Sequence, residues 1–398
     1  MKNILSARLT ALSPSETFAM AQKSNELKAL GIDVINMSVG EPDFTTPDHI
    51  KEAAKKAVDD NYSFYSPVAG FPDLREAICD KLSRENSLKY TPAQIVVSGG
   101  AKQSLCNVIL SIIDKGEEVI IPTPCWVSYP EMVKLAEGTT LFVYAGIGQN
   151  YKLTPRQLEE AITPATKALL LCSPSNPTGS VYTEPELAAI VRVLEKHPQV
   201  YVIADEIYEH INYIGQHVSI AQFDAIRDRV IVVNGVSKGY AMTGWRIGWI
   251  AAPQQIASAC SLLQGQYTSG ASSVSQRAAL AAYSGDQRCV SEMRTAFERR
   301  RNLIVKQLGE IPGLKVNIPM GAFYILPDCS CYLGRSYGGK RVQTAADLSM
   351  YILEEAHVAC VGGDAFGAPG CLRLSYAISD ANITEAIARI KRTLEKLA

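Results

Sequence analysis

The stretch "GVSKGYAMTGWRIGW" at 235–249 sets one lysine, Lys238, among glycines, an alanine and aromatics, with one arginine, Arg246, eight positions later. Lysines on surface helices cluster with acids instead, as in "KEAAKKAVDD" at 51–60. A lysine isolated this way is either a snorkelling structural residue or a nucleophile whose proton is meant to come off. Directly upstream runs "RVIVVN" at 229–234. It has counterparts in "QIVVS" at 94–98, "EEVIIP" at 117–122, "TTLFVY" at 139–144, "KALLLC" at 167–172 and "VYVIAD" at 200–205. Each precedes a helical pattern. Continuous β-branched runs suit strands buried on both faces, so a largely parallel sheet covered by helices is expected.

At 398 residues the chain is long enough for two domains, because single cores stop growing near about 250–300 residues. The alternating pattern spans 46–280, which reads as one large α/β domain. Beyond it come a long charged helix, "EMRTAFERRRNLIVKQL", shorter strands in "AFYILP" and "CLRLSYA", and a helix from about Asp380. Residues 1–45 and 281–398 are therefore expected to form a smaller α+β domain. The "ERRR" run reads as a solvated helix face. "SPSE" at 13–16 reads as a helix start, with Ser13 as N-cap, Pro14 in the first turn and Glu16 closing a capping box. "TPDHIKEAAKKAV" from Thr46 repeats that signal, and the Gly/Ser-rich stretches at 264–276 and 334–340 read as loops.

With 39 Lys and Arg against 40 Asp and Glu the formal charge is −1. Neither nucleic acid nor an anionic membrane is expected as a partner. "MKNILSARLT" has no sustained apolar core, so no signal peptide is expected. No run approaches the roughly 18 apolar residues of a membrane span. The ten cysteines hold no C-x-x-C pair and read as free, buried or half-buried thiols in a reducing cytoplasm. G-x-G-x-x-G, G-x-x-x-x-G-K-[ST], G-x-S-x-G and H-E-x-x-H are all absent. Dinucleotide, P-loop and common hydrolase chemistry are thereby set aside. The five histidines form no ligand cluster in sequence, and no metal site is expected.

What remains is polar residues at the ends of the buried runs. "SGGAKQS" at 98–104 joins a strand to a helix; its glycines and the helix N-terminus suit a phosphate, or it is a plain strand-to-helix turn. In "SPSNPTG" at 173–179 the turn would hold Asn176 fixed, although Asn-Pro is also an ordinary turn signal. Asp205, ending "VYVIAD", either points into a crevice or caps a helix. One cofactor uses all these parts. Pyridoxal phosphate needs an amine for its aldehyde, an acid for its ring nitrogen, a donor for its phenolic oxygen and an anion cradle. Lys238, Asp205, Asn176 or Tyr208, and the 98–104 turn with Arg246 would supply them.

"GVSKGYAMTGWRIG" resembles the lysine signature of the class I aminotransferases. "VGEPDF" at 39–44, "YSPVAGFPDLREAI" at 65–78, "SPSNPTG", "DEIYE" at 205–209 and "LRLSYA" at 372–377 follow in that family's order, covering essentially the whole chain. "WVSYPEMV" at 126–133 and "MTGWRIG" resemble its bacterial aspartate aminotransferase subgroup. The resemblance implies the fold type I architecture: a mostly parallel seven-stranded sheet between helices, plus a smaller α+β domain from both chain ends. It also implies a homodimer with shared sites and ping-pong transfer of an amino group to a 2-oxo acid. Lys238 would form the aldimine and shuttle a proton. Asp205 would hold the ring nitrogen protonated, and Asn176 and Tyr208 would bond the phenolic oxygen. Gly100, Ala101, Lys102, Ser237 and Arg246 would hold the phosphate, with Tyr65 reaching the phosphate of the neighbouring subunit. Trp126 would stack on the ring, and Arg373, beside the backbone of Gly40, would grip the substrate α-carboxylate.

For the donor, Lys102 matches a lysine that receives a distal carboxylate, with Ser15 and Thr17 at the same end. Aspartate or glutamate is therefore expected. Some relatives that also accept prephenate carry a basic residue where this chain has Ser13, so prephenate is not. Gly235 departs from the serine many relatives place there, which leaves that phosphate contact to Ser237 or backbone groups. The alternatives are a carbon–sulfur β-lyase or a broad aromatic transaminase on the same scaffold. A catalytically silent effector-binding regulator is a third, but it would need an added DNA-binding domain for which the chain has no residues to spare.

Overall fold

The structure, a computed structural model, describes residues 4–398. The central sheet holds β1 (Ile95–Ser98), β2 (Glu118–Thr123), β3 (Thr139–Tyr144), β4 (Thr166–Cys172), β5 (Tyr201–Asp205), β6 (Val230–Gly235) and β7 (Gly248–Ala251). Their order is β1-β7-β6-β5-β4-β2-β3. All run parallel except β7, which is antiparallel to both neighbours. Six of these strands are the six apolar runs. The seventh, "GWIA", starts at Gly248 within the lysine stretch and is too short to stand out.

Strand alternation builds a core on each sheet face. Val202 and Ala204 point toward Leu74, Ile78, Leu187 and Ile190, whereas Ile203, Val233 and Ile250 pack against Leu105, Ile109 and Ile256. β3 does not fit the expectation of burial on both faces: Phe142 and Tyr144 are 58% and 53% exposed. It is an edge strand with β2 as its one partner.

A further core lies under a three-stranded antiparallel sheet of β8 (Tyr324–Ile325), β9 (Val361–Gly362) and β10 (Leu372–Ser375), in the order β9-β10-β8. Phe297, Ile304 and Leu308 of helix Arg288–Gly309 meet Ile383, Ile387 and Ile390 of helix Asp380–Leu394 there. The N-terminal Ile35–Asn36 joins by parallel pairing with Val358–Ala359. Tyr208 and Ile211, just past β5, also belong to this core. The two packed bodies therefore meet at the end of β5.

Several local expectations change. The helix in the N-terminal segment is Glu16–Ala29 with Ser15, not Ser13, at its N-cap and no side-chain cap bond. Ser13 instead donates its N–H to Glu131 at 2.8 Å. Thr46 caps nothing; helix Asp48–Asp59 starts after Pro47, and the Thr46 hydroxyl bonds Ala241 O and Trp245 Nε1. The "ERRR" run is not wholly solvated. Arg300 shares a helix face with Phe297 and Ile304, is 7% exposed, and binds Asp43 bidentately at 2.7 and 2.9 Å. Residues 264–276 mostly continue helices Gln254–Tyr267 and Ser273–Ser284, and 334–340 carries a short hairpin. All ten cysteines are free, with Cys331 exposed rather than buried.

Candidate active site

β1, β2, β4, β5 and β6 all end on one edge of the sheet, and the candidate residues follow those ends. Open α/β sheets bind ligands at that edge because loops leave it with free backbone groups and side chains converging on a crevice. Lys238 lies three residues past β6. Its half-buried Nζ donates to Gly40 O at 2.6 Å and sits 5.8 Å from the Tyr208 ring centroid. Burial lowers its pKa to about 8; Arg246 and Arg373 push the same way, while Glu41 and Asp205 oppose them. A nucleophilic amine needs this setting, because the ammonium form has no lone pair.

Asp205 ends β5 and is 3% exposed. Burial raises its pKa to about 6, although its carboxylate accepts from Tyr129 Oη at 2.6 Å and Ile207 N at 3.2 Å. Tyr129 is fully buried on helix Ser128–Leu135, edge-on to Trp126 at 5.4 Å. The sequence reading passed over it. The signal was its place one helical turn beyond Trp126 in "WVSY", with no acid or amide beside it to partner its hydroxyl.

Arg373 on β10 is 2% exposed. Its Nη1 donates to Asn176 Oδ1 at 3.1 Å and its Nη2 to Ser38 O, while Nε has no partner. No carboxylate pairs with it among the described residues; the Tyr324 and Phe366 rings lie 4.9 and 4.8 Å from the guanidinium. A buried cation without a counterion is costly, and an anionic ligand relieves it. Tyr208 and Tyr324 join hydroxyls at 2.9 Å. Tyr324, also missed, decides the residue at 40: a Cβ on Gly40 would collide with its hydroxyl.

Gly100 takes φ +94 as N-cap of helix Ala101–Ile112. The N–H groups of Ala101 and Lys102 in the first turn therefore have no intrahelical acceptor. Arg246 lies across this turn, with Nη2 on Gly99 O at 3.2 Å and Nη1 on Thr243 O at 3.0 Å. Any Cβ on Gly100 would occupy the guanidinium's place. Ser237 is buried nearby in sequence, and a Cβ on Gly235 would lie 2.6 Å from Ile247 O. The backbone approach between β6 and β7 thus accounts for glycine at the departing position.

Lys102 leaves this turn with Nζ 4.8 Å from the Trp126 ring centroid and 5.9 Å from that of Phe18. Burial and Arg246 lower its pKa. Helix Glu16–Ala29 thereby meets the site, bringing Ser15 half-buried and Thr17 with a buried, unpartnered Oγ1. Tyr65 stands apart, 96% exposed. The set can hold a phosphate at the helix N-terminus, a ring between Trp126 and Asp205, and a carboxylate at Arg373. The donors present fit pyridoxal phosphate.

A family model of aminotransferases of class I and II matches residues 32–390. The chain belongs to that family and is a transaminase with its fold type I architecture. It is 48% identical over 390 residues to the aspartate/prephenate aminotransferase of Cereibacter sphaeroides, covering 97% of this chain and 98% of that one. The solved aspartate aminotransferase from Rhizobium meliloti superposes with a TM-score of 0.96 at 41% identity over the full length of both chains. That of Thermus thermophilus with maleate gives 0.92 at 40%, over 99% of this chain and 100% of that one.

Proposed function

We propose that this protein is a pyridoxal-phosphate-dependent aminotransferase that takes the amino group of aspartate or glutamate and delivers it to a 2-oxo acid. Residues 46–280 would form the cofactor-binding unit and 1–45 with 281–398 the smaller one. The observation that carries the reading is Arg373: a buried guanidinium with a free Nε, on the same crevice as an amine whose pKa falls to about 8. The similarity to enzymes named for aspartate, one of them solved with the dicarboxylate maleate, supports the donor.

When bound, the cofactor supplies an aldehyde for the amino group and a ring that draws electrons from the substrate Cα. This chain's residues do the rest. Arg246 and the N–H groups of Ala101 and Lys102 would bind the phosphate, and Trp126 would cover the ring. Asp205 holds the proton on the ring nitrogen, with Tyr129 holding Asp205. Asn176 and Tyr208 orient the phenolic oxygen. Arg373 would seat the α-carboxylate, and Lys238 Nζ would take the Cα proton and pass it on to the cofactor carbon that held the aldehyde. Purified protein should absorb near about 360–430 nm with its cofactor and bleach on adding aspartate. A carbon–sulfur β-lyase would instead split an S-substituted cysteine into a thiol, pyruvate and ammonia, and an inert effector-binding protein would show no bleaching with any amino acid. Prephenate is expected to fail as acceptor, since Ser13 offers no cation and faces Glu131.

The distal carboxylate of the donor is assigned to Lys102, with Ser15 and Thr17 beside it. A charge-assisted hydrogen bond contributes about 1.5–3 kcal/mol, so Lys102→Ala should lower kcat/KM for aspartate roughly 10- to 150-fold. Alanine and phenylalanine should suffer far less. Equal losses for both kinds of donor would mean that Lys102 serves the phosphate alone. Tyr65, exposed in one subunit, is assigned to the phosphate of the other in a homodimer. Mixing inactive Tyr65→Ala and Lys238→Ala subunits should restore activity, because the hybrid dimer rebuilds one intact site. No recovery despite demonstrated subunit exchange would count against a shared site.

A further inference from the structure

Behind the site lies a buried ionic cluster that the proposed mechanism does not use. Glu209, one residue past Tyr208, is 6% exposed. Its carboxylate accepts from Lys81 Nζ, from Asn86 Nδ2 at 2.8 Å and from Asn234 Nδ2 at 2.8 Å. Lys81 is fully buried, and its Nζ also donates to Asn86 Oδ1 at 2.7 Å. Burial alone would raise the Glu209 pKa, yet Lys81, His210 and His217 hold it far below the usual carboxylate range. Glu209 is thus held toward its ionised form and gripped by the end of helix Pro72–Asn86.

Asn234 lies near the end of β6, four residues before Lys238, and its Oδ1 accepts the Gly235 N–H at 2.7 Å. Glu209 therefore ties the strand end that leads to Lys238 to the turn that carries Asp205 and Tyr208. Two segments with no covalent closeness, 205–209 and 234–238, share one carboxylate. A bound cation is the competing use, since Glu206, Glu209 and His217 converge within 4.8 Å. The Lys81 ammonium already neutralises Glu209, and Ser219 Oγ donates to Glu206 at 2.6 Å, so a metal ion would have to enter against a resident cation.

We propose that Glu209 is a positioning residue that acts through Asn234 to hold Lys238 in register with Asp205 and Tyr208. This rests on the role given to Lys238 above. Asn86 and Asn234 make bonds of equal length to the same carboxylate, but only Asn234 belongs to the lysine-bearing segment, so the pair separates positioning from stability. Both Asn→Ala variants should lose thermal stability. Only Asn234→Ala should lower kcat, by about tenfold or more, since ångström-scale misplacement of a reacting group can cost about a hundredfold. Its KM for aspartate should stay within about twofold, because Arg373 is untouched. The visible absorption of its bound pyridoxal phosphate should also shift, while that of Asn86→Ala stays with wild type. Should Asn234→Ala not fold, Asn234→Ser carries the same comparison. Equal kcat and equal spectra for the Asn86 and Asn234 variants would overturn the proposal while leaving the reading of the site intact. A wild-type protein with no cofactor absorption would overturn that reading, and the clamp with it.

Discussion

Lys238→Ala is expected to abolish turnover, by at least about ten-thousandfold, while the protein still binds pyridoxal phosphate. On the proposed reading two functions leave with one side chain: the amine that would meet the cofactor aldehyde and the base that would move the Cα proton. Positioned proton transfer alone contributes about 10²–10⁴-fold, and nucleophilic assistance adds to that. The groups assigned to holding the cofactor are separate from the amine. Arg246 is anchored to Gly99 O and Thr243 O, the helix N-terminus at 100–102 belongs to another element, and Asp205 is fixed by Tyr129. None leans on Lys238. Nζ makes one hydrogen bond, to Gly40 O, and its burial already disfavours the charged form, so truncation should cost little stability. Absorbance of the dialysed variant with added cofactor, set beside its rate with aspartate and 2-oxoglutarate, checks both halves. Full transamination by the variant would sink the assignment.

The lowered amine pKa also sets a pH dependence. With a value of about 8 in the cofactor-free chain, the fraction of Lys238 carrying a lone pair rises tenfold per pH unit below that value and levels off above it. Covalent capture of the cofactor aldehyde should follow the same curve.

How legible was this site? The six strands were readable because each is a short apolar, largely β-branched run followed by a helical pattern, although β3 is an edge strand with one open face. β7 was not, since its first two residues belong to the lysine motif and only Ile250 and Ala251 extend past it. The residues that would touch the cofactor were readable for a different reason. Lys238, Asp205, Asn176 and Arg246 follow strand ends in short motifs where no core-forming role competes for the residue type. Those that hold them were hidden. Tyr129 and Glu209 lie inside quoted motifs and Tyr324 inside an apolar strand run, but nothing local marks their roles, because their partners lie 76, 128 and 116 residues away. Arg300 was misread for the same reason. In sequence it is one of three arginines, and only the helix phase relative to Phe297 and the distant Asp43 singles it out.

Asp205→Ala is expected to lower kcat by roughly thirtyfold to several-thousandfold, because removing one partner of a buried ion pair costs about 2–5 kcal/mol. The chain invests in this carboxylate in a way a cap would not require. Burial drives its pKa up to about 6, and the Tyr129 hydroxyl and Ile207 N–H pull it back toward ionisation without winning. A group so poised is incomplete by itself, and a cation placed against it would both ionise it and be held by it. A protonated ring nitrogen is such a cation, and Asp205 in turn keeps the proton there. The sign of the stability effect distinguishes this from a structural role. In the cofactor-free protein the folded-state pKa lies above the unfolded one. The group's contribution is therefore fully present below about pH 4 and is lost as pH rises through about 6. Asp205→Ala should remove that decline from the pH dependence of the cofactor-free Tm. With cofactor bound the ion pair reverses the balance, and wild type should gain far more Tm from the cofactor above pH 6 than the variant does. If kcat stays within about threefold of wild type, Asp205 does no more than fix the Ile207 turn, and the electron-sink role belongs to another group.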